Sequence, residues 1–193
     1  FDHKLGLVLP GGGARGAYQV GVLKAISNIQ GSIEKSPFDV ISGTSAGAIN
    51  ASMICSEIDN FHESVLKLEN IWGNFSTKQI YRTEKLFMLR QSFHWLLTLI
   101  SGGVLMKNPR SLLDNQPLRD LLKDAVDFES INRNIYSGDL DALIVTAASY
   151  EQKQSVSFFT TRTSVENWHK VGRSSRETEI NVDHLMASVA LPL

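Results

Sequence analysis

The stretch FDVISGTSAGAINASMICSE, Phe38 to Glu57, decides the reading of the whole chain. Pro37 interrupts regular structure just before it. Phe38 to Ser42 is short and apolar, which predicts a buried strand. Ala46 to about Glu57 is rich in alanine, which predicts a helix. Between them Gly43, Thr44, Ser45, Ala46 and Gly47 spell G-x-S-x-G. On a strand–turn–helix this pattern lifts a serine hydroxyl clear of the sheet, and the crowded backbone demands small neighbours. Ser45 then stands at a helix N-terminus, where unpaired N–H groups favour negative charge. The plainer alternative is a Gly/Ser-rich loop whose serine merely caps the helix. A strand before the motif and a helix after it favour the nucleophile reading.

Working outward, LPGGGARGAY (Leu9–Tyr18) is a second tight loop. Leu5 to Leu9 predicts a first strand, apolar on both faces and therefore buried. Ala17 to Gln30 predicts a helix with Val22, Leu23, Ile26 and Ile29 on one face. Gly11, Gly13 and Gly16 also spell G-x-G-x-x-G, the pattern of a dinucleotide loop. A nucleotide site wants an acidic residue at the end of the second strand to hold a ribose. Here Asp39 begins that strand and the serine turn ends it, so the acid is at the wrong end. Two adjacent strands instead bring a hydroxyl and a loop rich in free N–H groups to one edge of a sheet. That pairing suits acyl transfer, in which main-chain donors hold the tetrahedral oxyanion, each worth about 3 kcal/mol. Arg15 adds positive charge beside the loop, or else simply covers a helix end at the surface.

Further along, Asp59 is a candidate cap for a helix marked by Phe61, Val65, Leu68, Trp72 and Phe75. DNQPLRDLLKDAVD predicts a helix with Pro117 in its first turn and Leu118, Leu121, Leu122, Ala125 and Val126 inward. Leu140–Tyr150 and Val156–Thr161 predict strands joined by a polar turn at Glu151–Gln154. Asp183–Val189 predicts a short last helix. The order favours an α/β sheet with helices on both faces in one domain. Leu86–Ile100 is apolar over most of its circumference. It reads as a core helix, or as a lid or membrane-facing element presenting Phe87, Met88, Trp95 and Leu99 to acyl chains.

With 193 residues, 42% apolar and 20% charged, the chain is long enough for a sizeable core. A net charge of −1 gives no electrostatic case for nucleic acid. The single cysteine, Cys55, reads as a small buried hydrophobe and fits a reducing compartment. No signal-peptide pattern and no apolar run long enough to span a bilayer are present, so a cytoplasmic or peripheral membrane location is expected. No metal-ligand spacing appears.

The blocks together resemble the patatin-like phospholipase family. GGGARG (Gly11–Gly16) is similar to that family's oxyanion loop, GTSAG (Gly43–Gly47) to its nucleophile block, and ASVALP (Ala187–Pro192) to its A-S-x-A-x-P block. PLRDLL (Pro117–Leu122) sits where such proteins often carry a helix start. The resemblance implies a three-layer α/β/α sandwich with a mostly parallel central sheet, forming a single domain over 1–193. It implies a lipid acyl hydrolase acting on phospholipid or lysophospholipid through a serine–aspartate dyad, without cofactor or metal. Ser45 carries over as nucleophile. Gly11, Gly12, Gly13 and Arg15 carry over as the oxyanion region, with Gly43 and Gly47 flanking the elbow. Ala187, Ser188 and Pro192 carry over as a block that shapes the acyl site.

The chain departs from the family pattern at the base. The family's aspartate lies in a D-G-G or D-G-A block after A-S-x-A-x-P, and none of the ten aspartates here precedes a glycine. The expectation is that the chain stops before that block, with the base beyond Leu193, and is close to inactive without it. A histidine triad such as Ser45, Asp141 and His169 is the alternative. It is disfavoured because an α/β-hydrolase places several strands before its serine turn. An acyltransferase of the same chemistry and a non-catalytic lipid-binding or regulatory module remain open. Oligomeric state is not read from the sequence.

Overall fold

A computed structural model describes residues 3–31, 33–74 and 115–190. Phe1–Asn74 with Lys123–Ala190 form one compact unit, and Phe75–Leu122 with Leu191–Leu193 a second. Of the second unit the described residues are 115–122. The sequence expectations for Phe75, for Leu86–Ile100 and for Pro192 fall outside the described residues.

Strand β1 (Gly6–Leu9) leads through a 3-10 turn at Gly13–Arg15 into α1 (Gly16–Gln30). Strand β2 (Val40–Thr44) feeds α2 (Ala46–Ser56), and α3 (Phe61–Asn74) follows. Then come α4 (Gln116–Ala125), α5 (Phe128–Ser137), β3 (Ala142–Ser149) and β4 (Gln154–Thr161). The described chain closes with β5 (His169–Lys170), β6 (Arg173–Glu177) and α6 (Val182–Val189). The strands form one sheet in the order β1-β2-β3-β4-β6-β5. The β1–β2, β2–β3 and β4–β6 pairs are parallel, while β3–β4 and β5–β6 are antiparallel. Helices flank this mixed sheet in a three-layer α/β/α arrangement. No helix among the described residues is long and apolar enough to cross a membrane.

The core sits around α2. All eleven of its residues are buried, and it packs on β1, β2 and β3 as well as on α1, α3 and α5. Ala48, Ala51 and Cys55 are small enough to let so many neighbours approach at once. Cys55 is fully buried as expected, and desolvation pushes its thiol well above the ordinary range.

Several sequence expectations need correction. Strand β1 is not buried on both faces. It pairs on one side only among the described residues, so Leu9 points inward while Val8 is 74% exposed. On α1 the inward stripe is Gly16, Val20, Leu23 and Ser27, with Val22 and Ile29 exposed. The buried positions 16, 20, 23 and 27 recur at helical spacing, and close packing of α1 on α3 demands a small residue at Gly16. A Cβ on Gly16 would lie 2.4 Å from the Trp72 ring. Asn60, not Asp59, caps α3, its Oδ1 accepting the Glu63 N–H at 3.2 Å. In α4, Leu118 and Leu122 are buried as expected, as is Val126 just after it, while Leu121 and Ala125 are half-buried.

Candidate active site

β1 and β2 run parallel, with Leu9 beside Gly43, so their C-terminal ends deliver their loops to the same edge. Ligands of open α/β sheets bind at such carboxyl ends. Ser45 follows the last residue of β2 and precedes the first of α2. Its backbone has φ 53° and ψ −122°, a conformation that a residue with a side chain adopts at a cost of about 1–3 kcal/mol. Ser45 is half-buried, and the amides of Ala46 and Gly47 in the first turn of α2 lack intrahelical acceptors.

The turn closes only because two neighbours lack side chains. A Cβ on Gly47 would stand 2.0 Å from the Leu9 carbonyl oxygen, and one on Gly43 2.4 Å from the Gly47 carbonyl oxygen. Leu9 is the last residue of β1, so the missing Gly47 side chain lets α2 rest directly on the backbone of the strand that leads into the glycine loop. The loop itself is brought beside the serine. A Cβ on Gly11 would be 3.3 Å from Ser45 Cβ. Gly11, Gly12 and Gly13 are exposed, and among the described residues no acceptor within the protein engages their N–H groups. Gly13 has φ 56°, and the Gly12 carbonyl accepts the Arg15 N–H at 3.1 Å. The Arg15 stem lies over Gly12, and its head is exposed with no ion-pair partner among the described residues.

Ser188 and Ala187 lie on α6, and the two differ sharply. Ala187 is exposed. Ser188 is buried, and its Oγ accepts the Ser45 N–H at 2.7 Å while donating to the Thr146 carbonyl at 2.6 Å. Thr146 lies beside Thr44 in the β2–β3 pairing. One hydroxyl thus ties the strained turn to the neighbouring strand. The entry of α6 is fixed by a capping box. The Asn181 side chain accepts the Asp183 N–H at 2.9 Å, and the Asn181 N–H donates to His184 Nδ1 at 3.1 Å.

A polar relay, unanticipated from the sequence, runs beneath the glycine loop. Trp72 Nε1–H on α3 donates to Asn50 Oδ1 on α2 at 2.8 Å. Asn50 Nδ2 donates to the Gly16 carbonyl at 3.1 Å and to Gln19 Oε1 at 2.9 Å. Gln19 Nε2 donates onward to the Pro10 carbonyl at 2.7 Å. Asn50 is 0% exposed. An amide in the middle of a fully buried, Ala-rich helix was the available signal, since such a group needs partners.

Among the described residues the histidine alternative is not assembled. Asp39 and Asp141 lie side by side before β2 and β3, where Asp39 accepts the Leu5 N–H and Asp141 pairs with Lys4. That is the opposite end of the strands from Ser45, roughly 20 Å away at ~3.3 Å per residue. His169 is on β5, four strands from β2, or about 19 Å at ~4.8 Å per strand. His62 bonds Ser27 Oγ at 2.9 Å, and His184 serves the α6 cap.

The family model described as Patatin-like phospholipase matches residues 7–193. A lysophospholipase nte1 from Aspergillus terreus is 49% identical over 57 residues, 30% of this chain and 3% of that protein. A neuropathy target esterase sws from Drosophila persimilis is 47% identical over 55 residues, 28% of this chain and 4% of that protein. These matches therefore span only a few per cent of the curated relatives' own lengths. Among solved structures, the full-length ExoU–SpcU complex of Pseudomonas aeruginosa aligns with TM-score 0.46 at 19% identity. The alignment covers 80% of this chain and 34% of that one.

Proposed function

The chain belongs to the patatin-like phospholipase family, a family of lipid hydrolases, and from that premise we propose that Ser45 is the nucleophile of an ester hydrolase acting on phospholipid or lysophospholipid. The observation that carries this reading is the Ser45 backbone at φ 53° with Gly11 against its Cβ. Strain of this kind persists only where surrounding structure over-determines it, and it clusters at functional sites.

In the proposed reaction Ser45 Oγ attacks the ester carbonyl carbon and gives its proton to a carboxylate base. The carbonyl π electrons move to oxygen, and the resulting oxyanion takes N–H groups of Gly11, Gly12 and Gly13. Collapse breaks the bond to the alcohol, which leaves with the proton returned by the base, and an acyl-serine remains. Water then repeats the sequence and releases the fatty acid. Arg15 supplies positive charge at the rim of the loop. The family pattern gives this role to an aspartate of a D-G-G or D-G-A block, a pattern that none of the ten aspartates of this sequence carries. Asp39 and Asp141 stand at the wrong end of the sheet for it. Lipid at a membrane surface is the expected partner.

Ser45→Ala in the full-length protein is expected to lower esterase turnover by at least ~10³-fold, and a fluorophosphonate probe to label Ser45 alone. Turnover retained in Ser45→Ala, or labelling at another residue, refutes the reading. Product analysis with and without an alcohol acceptor separates hydrolysis from acyl transfer.

A further inference from the structure

We infer that Gln19 and Asn50 are positioning residues that hold the glycine loop at its working distance from Ser45. The inference rests on the reading of Ser45 as nucleophile and concerns what sets the geometry around it. Main-chain donors stabilise an oxyanion only when held about 2.7–3.1 Å from where its charge develops, so the loop must not drift. Yet Gly11–Gly13 are exposed, carry no side chains and have no acceptors within the protein among the described residues. Nothing in the loop itself fixes it, apart from the turn bond from Arg15 N–H to the Gly12 carbonyl.

The relay supplies the missing restraint from both ends. Asn50 holds the Gly16 carbonyl where the loop enters α1. Gln19 holds the Pro10 carbonyl where β1 leaves for the loop. The two amides are joined to each other by the Asn50–Gln19 bond. Asn50 lies on α2, five residues after Ser45, so the loop is referenced to the helix that carries the nucleophile. Trp72 locks the Asn50 amide by taking its oxygen, and its ring fills the space above Gly16. The amide of Asn50 thus spends two donors and one acceptor on this single task. A buried polar side chain would cost stability if it were unpaired, so an apolar residue would serve the core as well.

The test uses the full-length protein with Gln19→Ala, Gln19→Met and Trp72→Phe, and kcat is expressed per site titrated by a fluorophosphonate. Gln19 is half-buried and Pro10 exposed, so water can take over the freed carbonyl and the fold survives. Gln19→Ala is expected to lower kcat per titrated site by about 10²-fold, the scale for a displacement near 1 Å. KM should stay within about threefold, because ground-state binding does not use the loop donors. Affinity for a trifluoromethyl ketone, which mimics the tetrahedral oxyanion, should fall in parallel with kcat/KM. Gln19→Met keeps the length and bulk of the side chain but not its bonds, and should be as impaired as Gln19→Ala. Trp72→Phe, which keeps a ring over Gly16, should lose about 10-fold. Rescue by methionine, or a wild-type kcat per site in Gln19→Ala, overturns the positioning role. Loss of titratable sites with unchanged kcat per site also overturns it, since that marks a purely structural role. Ser45→Ala is run alongside. Activity persisting there refutes the nucleophile and the positioning role together, whereas a dead Ser45→Ala with a fully active Gln19→Ala refutes positioning alone.

Discussion

Replacing Ser188 by alanine removes one oxygen that serves two main-chain groups. Ser45 N–H loses its acceptor, and the Thr146 carbonyl loses a donor. Ser188 is buried, so solvent does not readily replace the hydroxyl. A partly buried N–H left unpaired costs about 1–3 kcal/mol. The same bond helps hold Ser45 at its positive φ, where about 1–3 kcal/mol of strain is stored. Releasing the turn lets part of that strain relax and offsets some of the loss. A net destabilisation of about 2 kcal/mol is expected. With a denaturant slope near 2 kcal/mol per molar, the urea midpoint falls by about 1 M. The relaxed turn no longer presents the hydroxyl as well, and kcat is expected to fall about 10- to 100-fold, equivalent to 1.4–2.8 kcal/mol. Ser188→Cys, similar in shape but weak in hydrogen bonding, should fall between wild type and alanine. The assays are urea unfolding followed by tryptophan fluorescence, and esterase turnover on the same preparations. A midpoint within 0.2 M of wild type (about 0.4 kcal/mol at that slope) together with unchanged kcat would refute the bridging role.

Gly47→Ala forces a Cβ to 2.0 Å from the Leu9 carbonyl and is expected to cost several kcal/mol, on the order of 3 or more. Gly21→Ala on the exposed side of α1 meets nothing within 4 Å and should stabilise by about 0.5–1 kcal/mol, so equal effects at the two sites contradict the close approach. His184 is held below its ordinary pKa, chiefly by burial and also by Arg176, with Asp183 opposing. Its folded value lies under its unfolded value of about 6.5, so the unfolded chain takes up the proton first. Stability from this group is complete above about pH 6.5 and is lost as pH falls from there through the folded value. His184→Gln, which retains a side-chain acceptor for the Asn181 N–H, should flatten that part of a stability–pH curve, and an unaltered curve refutes the lowered titration of His184.

The serine turn was legible because its signal is local. A strand, a tight turn and a helix are written consecutively in Phe38–Glu57, and the small residues at Gly43 and Gly47 are demanded by contacts within one short segment. The β3–β4 hairpin was legible for the same reason, its strands separated only by a polar turn. Helix α5 carried an Asp127 cap, whose Oδ1 accepts the Ser130 N–H at 2.9 Å, and a left-handed Gly138 after its end. Its apolar signal is weak all the same, because Ile131 and Ile135 alone form its buried stripe. Strand β6, RSSRE, has no apolar pattern at all. It exists through its parallel pairing with β4, with Ser174 and Ser175 buried in place of hydrophobes. The inward face of α1 departs from the apolar pattern because two of its four buried positions are Gly16, which faces the Trp72 ring, and Ser27, which bonds His62. Ser188 was found by its block but its partners were not, since they come from Ser45 and Thr146, far away in the chain. The relay escaped for the same reason, being assembled from three helices.

The bare Gly47 backbone resting on Leu9 has a consequence for how such a site changes over time. The approach of α2 to β1 is gauged at this point by peptide groups in direct touch. A single added methyl at position 47 therefore pushes α2 and β1 apart in one step, whereas a change at exposed Val8 leaves that contact alone.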